Sequence, residues 1–390
     1  MTTLIPKFLG YHRPDNRIGI RNYVAIVPTV GCANEVVRKI AESVKNAIPF
    51  LHHEGCTQLA PDIEAVTQTL ISLGKNPNFG AVLVVSLGCE GVNADRVAEE
   101  ISNIGKPVEK IVIQELGTLR SLQEGIRIAS TLMRHISSEE KDWYTLGDLV
   151  LGVKCGASDA TSGIASNPAV GYAVDTIIEG GGTVVFGETT EIIGAEHLLA
   201  KRIPDPAVKE KILFMINRIE ERAKSMGVDM RTGQPTPGNI AGGLTTIEEK
   251  SLGAIAKTGS HNISGALEFW ESPRGKGLFM KDTPGREIEA MTGLAAAGVQ
   301  LIAFTTGRGA PQGFPGIPVI KISANPQTSV RMEDNIDLDV SDIITKGISI
   351  KEKGEEILNF ILKVANGQLT KSETIKYDET MDIYTTGPVI

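Results

Sequence analysis

Four times in the first 140 residues, a short run of apolar and largely β-branched residues is followed by a stretch whose apolar positions recur at helical spacing. Tyr23 to Val30 precedes Asn34 to Val44, and Phe50 to His52 precedes a helix from about Asp62 to Leu73. Ala81 to Ser86 precedes a helix near Asn93 to Ile101, and Val108 to Ile113 precedes one from about Leu119 to His135. A strand that is apolar at every position has no face to give to water. The repeated unit therefore predicts a parallel sheet between two helical layers. Ligands collect at the carboxyl ends of the strands in such sheets, and three of these ends carry Gly31-Cys32, Gly55-Cys56 and Gly88-Cys89.

The polar segment SSEEKDWYT (Ser137 to Thr145) reads as a boundary. It divides an α/β chain into a three-layer N-terminal domain, 1–140, and a second α/β domain, 141–390. In the second, strands are expected at Leu149 to Lys154, Thr183 to Gly187, Val299 to Thr305 and Val319 to Ser323. Helices are expected at Asn167 to Glu179, around Ile193 to Lys201, Pro204 to Met226, near Thr246 to Ala256, near Glu287 to Ala297 and at Lys351 to Ala365. TGQPTPGNIAGG (Thr232 to Gly243) is too rich in glycine and proline to be anything but loop.

The net charge of −8, with no dense Lys/Arg block, argues against nucleic acid or an anionic membrane as partner. MTTLIPKFLGYHRPDN lacks the apolar core of a signal peptide, and no run of about 18 apolar residues occurs, so a cytoplasmic location is expected. In a reducing compartment, four cysteines are ligands, nucleophiles or core residues rather than disulfides.

Cys155 lies in LGVKCGASDATSGIASNPAVG, where an apolar strand delivers it to a turn holding Ser158, Asp159 and Ser162 before Asn167 and Pro168 open a helix. Such a turn buries little apolar surface and leaves backbone N–H groups free for a polar ligand. Cys56 in HHEGC and Cys89 in LGCEG occupy similar turns. Cys56, Cys89 and Cys155 are therefore the expected metal thiolates, for iron as Fe2+ or as an iron–sulfur cluster with one open position. Cys32, in the less polar VGCAN, is the least favoured, and the alternative for all of them is a small buried hydrophobe.

His52 stands close to Cys56 and is a candidate ligand or base; His197 is a weaker one. Glu188, Glu191 and Glu196 gather in GETTEIIGAEH, although the last two also suit the solvated face of a helix. Arg13, Arg17 and Arg21 stud a loop, Arg308 sits in a glycine-rich turn, and Lys154 and Lys321 end strands; each suits an anionic substrate. No GxGxxG follows a strand, and neither GxxxxGK[ST] nor GxSxG occurs, which removes the usual support for dinucleotide, nucleotide and hydrolase-elbow chemistry.

GYHRPDNRIGIRNYVAIVPTVGCAN, HHEGC, LGCEG, KCGASDATSGIASNPAVG, GETTEIIGAEHLL, FTTGRGAPQG and IKISANP together resemble the catalytic region shared by altronate and galactarate dehydratases and the large subunit of sulfolactate sulfo-lyase. The likeness runs from about Gly10 to Asp337. It departs from the family at KCGAS, where Cys-Gly-Gly-Ser is more usual, and in starting almost at the arginine-rich loop, which resembles the two-subunit arrangement. The resemblance implies iron-dependent β-elimination of water from a sugar acid, giving a 2-keto-3-deoxy acid, with a small accessory subunit and assembly as a homo-oligomer. The expected base is His52, then Lys154, then Glu188. Arg13, Arg17, Arg21, Ser158, Asp159, Asn167, Arg308 and Lys321 are expected to bind substrate. Release of sulfite from sulfolactate, and non-catalytic binding of a sugar acid, are the alternatives.

Overall fold

A computed structural model describes residues 6–390; the first five, which the signal-peptide reading includes, lie outside the described residues. Among the described residues, three sheets are present. In chain order the strands are β1 (Lys7–His12), β2 (Ile18–Gly19), β3 (Tyr23–Pro28), β4 (Ala47–Pro49), β5 (Phe79–Ser86), β6 (Val108–Val112), β7 (Lys141–Thr145), β8 (Val150–Gly156), β9 (Thr183–Phe186), β10 (Ile263–Leu267), β11 (Gly277–Lys281), β12 (Leu301–Thr306), β13 (Val319–Ser323) and β14 (Leu338–Asp339).

The first parallel sheet has the order β4-β3-β5-β6. Its strand residues alternate between two cores, as the period of two requires. Val24, Ile26, Ala81 and Leu83 meet Val37 and Ile40 of the helix Asn34–Ser43 and Ile128 and Leu132 of the helix Thr118–Ile136. Ala25, Val27, Val82 and Val84 meet Val66 and Leu70 of the helix Ala60–Lys75 and Val97 and Ile101 of the helix Ala94–Ser102. Each such aliphatic side chain contributes about 1.5–3 kcal/mol relative to exposure.

The second parallel sheet has seven strands, ordered β10-β11-β9-β8-β12-β13-β14. One face packs on the helices Asn167–Glu179 and Ile350–Ala365, through Val170, Val174, Ile357 and Ile361. The other face presents Ile302 and Phe304 to the helix Glu287–Ala296, whose Met291 and Leu294 belong to the same core as Val66 and Leu70. The two sheets therefore share one apolar layer. From β8 the chain passes to β9 on one side and later to β12 on the other, so a topological switch point lies at the carboxyl ends of β8 and β12.

Four details differ from expectation. Ser137 to Thr145 is not only a boundary, because β7 pairs antiparallel with β1, Leu9 opposite Trp143, in a three-stranded sheet. Its KDWYT sequence is polar and exposed, as an edge strand can be, and carries no apolar signal. The second strand ends at Pro49, before the expected Phe50 to His52. β10, interrupted by Gly265, and β11, opening on Gly277, are short and were not expected, and a short helix, Pro237–Ala241, lies inside the expected loop.

Candidate active site

The apolar residues of β8 carry Lys154 and Cys155 into the interior at its carboxyl end, where they are 0% and 1% exposed. Beside it, β9 ends at Phe186, and the following turn inserts Glu188, 0% exposed, with φ of 67°. A non-glycine residue in the left-handed region stores about 1–3 kcal/mol of strain. Thr283 Oγ1 holds it there by accepting the Glu188 N–H at 2.6 Å.

These groups meet two lysines and a second glutamate. Glu188 Oε1 lies 3.3 Å from Lys154 Nζ, and Glu188 Oε2 lies 3.0 Å from Lys257 Nζ and accepts the Cys155 N–H at 2.9 Å. The Cys155 thiol donates to Glu191 Oε2 at 2.8 Å, while Lys257 Nζ donates to its sulfur at 3.0 Å. Lys250 Nζ lies 3.2 Å from Glu191 Oε1. Lys154 also sits 3.8 Å from the centre of the Phe304 ring.

Burial would raise the Glu191 carboxyl, but Lys250 and Lys257 outweigh it and bring its pKa down to about 2. Burial, with Glu191 beside it, pushes the Cys155 thiol up and keeps it protonated. Burial alone would lower the Lys257 ammonium; the facing Cys155, Glu188 and Glu191 reverse the sign.

Cys155, Glu188 and Glu191 offer ligand atoms all within 4.8 Å of one another, a set that could hold a metal ion. Lys257 Nζ, however, stands 3.0 Å from both the sulfur and Glu188 Oε2, where a cation would bind. Three ammonium groups facing two carboxylates leave this centre with no need of further positive charge.

Beside it lies a pocket of about 340 Å3 lined by Ser158, Asp159, Ser162, Asn167, Lys250 and neighbouring apolar residues. Lys250 thus belongs to both pocket and buried cluster. Asp159 Oδ1 accepts from the N–H groups of Thr161 and Ser162, and its Oδ2 accepts from Asn325 Nδ2 at 2.8 Å. Asn167 accepts from Thr305 Oγ1 and donates to Gly253 O. The Ser158 hydroxyl, buried, has no hydrogen-bond partner among the described residues. Arg308 is exposed, its N–H bonded to Ala157 O. Ala157 has φ of 46°, the left-handed region, at the position where the resemblance leads one to expect glycine. Lys321 is buried with its ammonium on Gln312 O, and burial lowers its pKa to about 8.

The structure brings together Lys154, Cys155, Glu188, Ser158, Asp159 and Asn167, and commits Arg13, Arg17, Arg21, His52, Cys56 and Cys89 elsewhere. Arg13, 1% exposed, gives its donors to Pro77 O, Arg21 O, Asn22 and Glu139. Arg17 binds Asp15 and Lys75 O, and Arg21 binds Glu373 together with Val364 O and Gln368 O. These guanidinium groups join chain segments, leaving few donors for a substrate. His52 belongs to the other sheet, where its Nε2 meets Pro28 O at 2.9 Å and its Nδ1 accepts the Glu54 N–H at 3.2 Å. Burial lowers its pKa to about 4. Cys56 and Cys89 are exposed, and among the described residues neither joins Cys155 in a three-ligand group. Lys250 and Lys257 were not anticipated, because each reads as a solvated charge on a helix; the one available signal is the mainly apolar and small SLGAIA that separates them.

Residues 10–137 match the family described as D-galactarate dehydratase/altronate hydrolase, second domain, and residues 146–388 match D-galactarate/altronate dehydratase, C-terminal. The chain is 38% identical to the (2R)-sulfolactate sulfo-lyase subunit beta of Chromohalobacter salexigens, over 95% of this chain and 96% of the relative. It is 33% identical to the altronate dehydratase of Escherichia coli, over 95% of this chain and 76% of the relative. The galactarate dehydratase (L-threo-forming) of the same organism is 32% identical, over 93% and 73%. No helix among the described residues is long and apolar enough to cross a membrane. With both family matches lying end to end along the same parallel sheets, the chain belongs to the D-galactarate/altronate dehydratase family, whose dehydratases are carbon–oxygen lyases.

Proposed function

We propose that the chain catalyses β-elimination of water from a sugar acid of the altronate or galactarate kind. The observation that carries this reading is the buried set of Lys154, Glu188, Glu191, Lys250 and Lys257, whose Lys250 also lines a polar pocket at the carboxyl edge of β8. A proton α to a carboxylate is hard to remove because the anion opposes the charge that develops, and fixed ammonium groups in a dry site offset that charge without reorganising. Lys250, on the pocket wall, receives the substrate carboxylate. Glu188 takes the proton from C2, with Lys154 and Lys257 beside its carboxylate oxygens. The C2–H electron pair forms the C2–C3 double bond, the C3–O bond breaks, and the hydroxide leaves as water after gaining a proton. The enol then tautomerises to a 2-keto-3-deoxy acid. Iron, held by thiolates such as Cys56 and Cys89 outside this lysine-filled cluster, would supply Lewis-acid chemistry for a leaving oxygen.

The second reading, loss of sulfite from sulfolactate, uses the same C2 proton and a different group on C3. It is favoured by the higher identity, 38% against 33%, to the sulfo-lyase subunit. Because that relative is one subunit of its enzyme, an accessory subunit is part of the proposal. Anaerobically prepared, iron-loaded protein, with and without a small partner subunit, is incubated with altronate, galactarate and sulfolactate. A keto-deoxy acid supports dehydration, and sulfite supports the second reading. Tight binding without turnover, in protein shown to hold iron and its partner, overturns both.

A further inference from the structure

We infer that Cys32, Cys56 and Cys89 hold an iron–sulfur cluster through three thiolates, leaving one iron without a protein ligand. This replaces Cys155 by Cys32 in the ligand set expected from the sequence.

The three cysteines follow β3, β4 and β5, neighbours in the order β4-β3-β5, and so share one carboxyl edge of the four-stranded sheet. Their turns are locked to one another by backbone hydrogen bonds, Gly31 N–H to Glu54 O at 3.1 Å and Gly91 N–H to Gly55 O at 2.9 Å. Two of the turns depend on glycine. Gly55 and Gly88 have φ of 106° and 121°, and a Cβ on Gly55 would lie 2.2 Å from Thr29 O. Each places the next residue, a cysteine, outward.

All three thiols are exposed, whereas Cys155 is buried. Free cysteine is among the most buried residue types, so three exposed thiols on one sheet edge are not explained by packing. Two other polar groups of this edge, His52 and Glu90, hold the turns rather than a ligand. His52 bridges Pro28 O and the Glu54 N–H, and Glu90 accepts from Ser86 Oγ, Thr29 Oγ1 and the N–H groups of Leu87 and Gly88. Gln114 Nε2 donates to Cys89 Sγ at 3.3 Å, an N–H to sulfur contact of the sort that orients and tunes a cluster ligand.

Three thiolates at adjacent strand ends suit a cluster, which takes each cysteine on a different iron. Only two three-ligand groups among the described residues close to within 4.8 Å, and neither includes these thiols. Cysteines that each bind a different iron stand further apart than ligands of one ion. Three cysteines on a four-iron cube leave one corner open.

The assignment of the thiols stands apart from the lyase reading; only the use of the open corner rests on it. The test is anaerobic reconstitution with ferrous iron and sulfide, followed by iron and acid-labile sulfide analysis, visible absorption and electron paramagnetic resonance of the reduced sample. About four irons and four sulfides per chain are expected. Each of Cys32→Ser, Cys56→Ser and Cys89→Ser should lower both at least about fourfold, while circular dichroism shows the fold intact. Cys155→Ser should leave iron, sulfide and the resonance spectrum unchanged. Full iron and sulfide in all three serine variants overturns the inference, as does loss in Cys155→Ser with retention in Cys32→Ser, or iron bound without sulfide. A loaded cluster with no turnover of altronate, galactarate or sulfolactate defeats the lyase reading alone.

Discussion

Replacing Lys257 by methionine removes an ammonium that lies 3.0 Å from Glu188, 3.6 Å from Glu191 and 3.0 Å from the Cys155 sulfur, and leaves a side chain of nearly the same length. Little cavity forms, so the cost is electrostatic. Removing one partner of a buried ion pair costs about 3–5 kcal/mol. A second route gives a similar size. The fall of the Glu191 pKa from 4.5 to about 2 corresponds to about 3 kcal/mol at neutral pH, shared between Lys257 and Lys250. Lys257→Met should therefore lose about 3 kcal/mol at pH 7 in chemical denaturation followed by far-ultraviolet circular dichroism. A carboxyl whose folded pKa is depressed stabilises above its unfolded pKa, and that stability disappears as the pH falls through the folded value. The gap between variant and parent should thus be full at pH 7 and narrow between pH 4.5 and 2. Adding Glu191→Gln should recover about 1–3 kcal/mol, because the carboxylate that has lost one of its two ammonium partners is then gone. A single variant within about 0.5 kcal/mol of the parent at pH 7, or a gap unchanged at acid pH, would refute the reasoning.

Glu188→Gln and Lys154→Met should each lower kcat on the productive substrate by about 10²–10⁴, with iron content unchanged, as steady-state kinetics and metal analysis would show. His52, with a pKa of about 4 in the fold against 6.5 outside it, makes the parent lose stability as the pH falls from 6.5 to 4; His52→Gln should flatten that part of the stability profile. Ala157→Gly should raise stability by about 1 kcal/mol by relieving the left-handed backbone, seen as a higher denaturation midpoint. Arg21→Met should destabilise by about 3 kcal/mol, since it strands Glu373, whose side chain is only 10% exposed, while leaving KM within about twofold; a large rise in KM would restore Arg21 to the substrate site.

Much of the scaffold was legible because its signals are local. The helix Asn167–Glu179 and the strand Val319–Ser323 lie where their spacing placed them, and β3, β5, β6 and β8 could be read as apolar runs that need cover on both faces. The same locality marked Lys154, Cys155 and Glu188 as groups delivered by strand ends. It failed where burial contradicts chemistry: Arg13 and Arg21 look like surface cations and are interior clamps, and Glu191 looked solvated and is 5% exposed.

The sequence by itself determined that two parallel sheets would form and that thiols, hydroxyls and lysines would end their strands, because a period of side chains is set by neighbours a few residues apart. Which of those ends face one another was decided only by the tertiary structure. Crossover connections let a following strand join either side of its predecessor, so nothing local distinguishes the order that puts Cys32 beside Cys56 and Cys89 from one that would not. Lys257 reaches Cys155 across 102 residues of chain for the same reason. A buried charge becomes tolerable only when its partners arrive, and their arrival is a property of the whole fold.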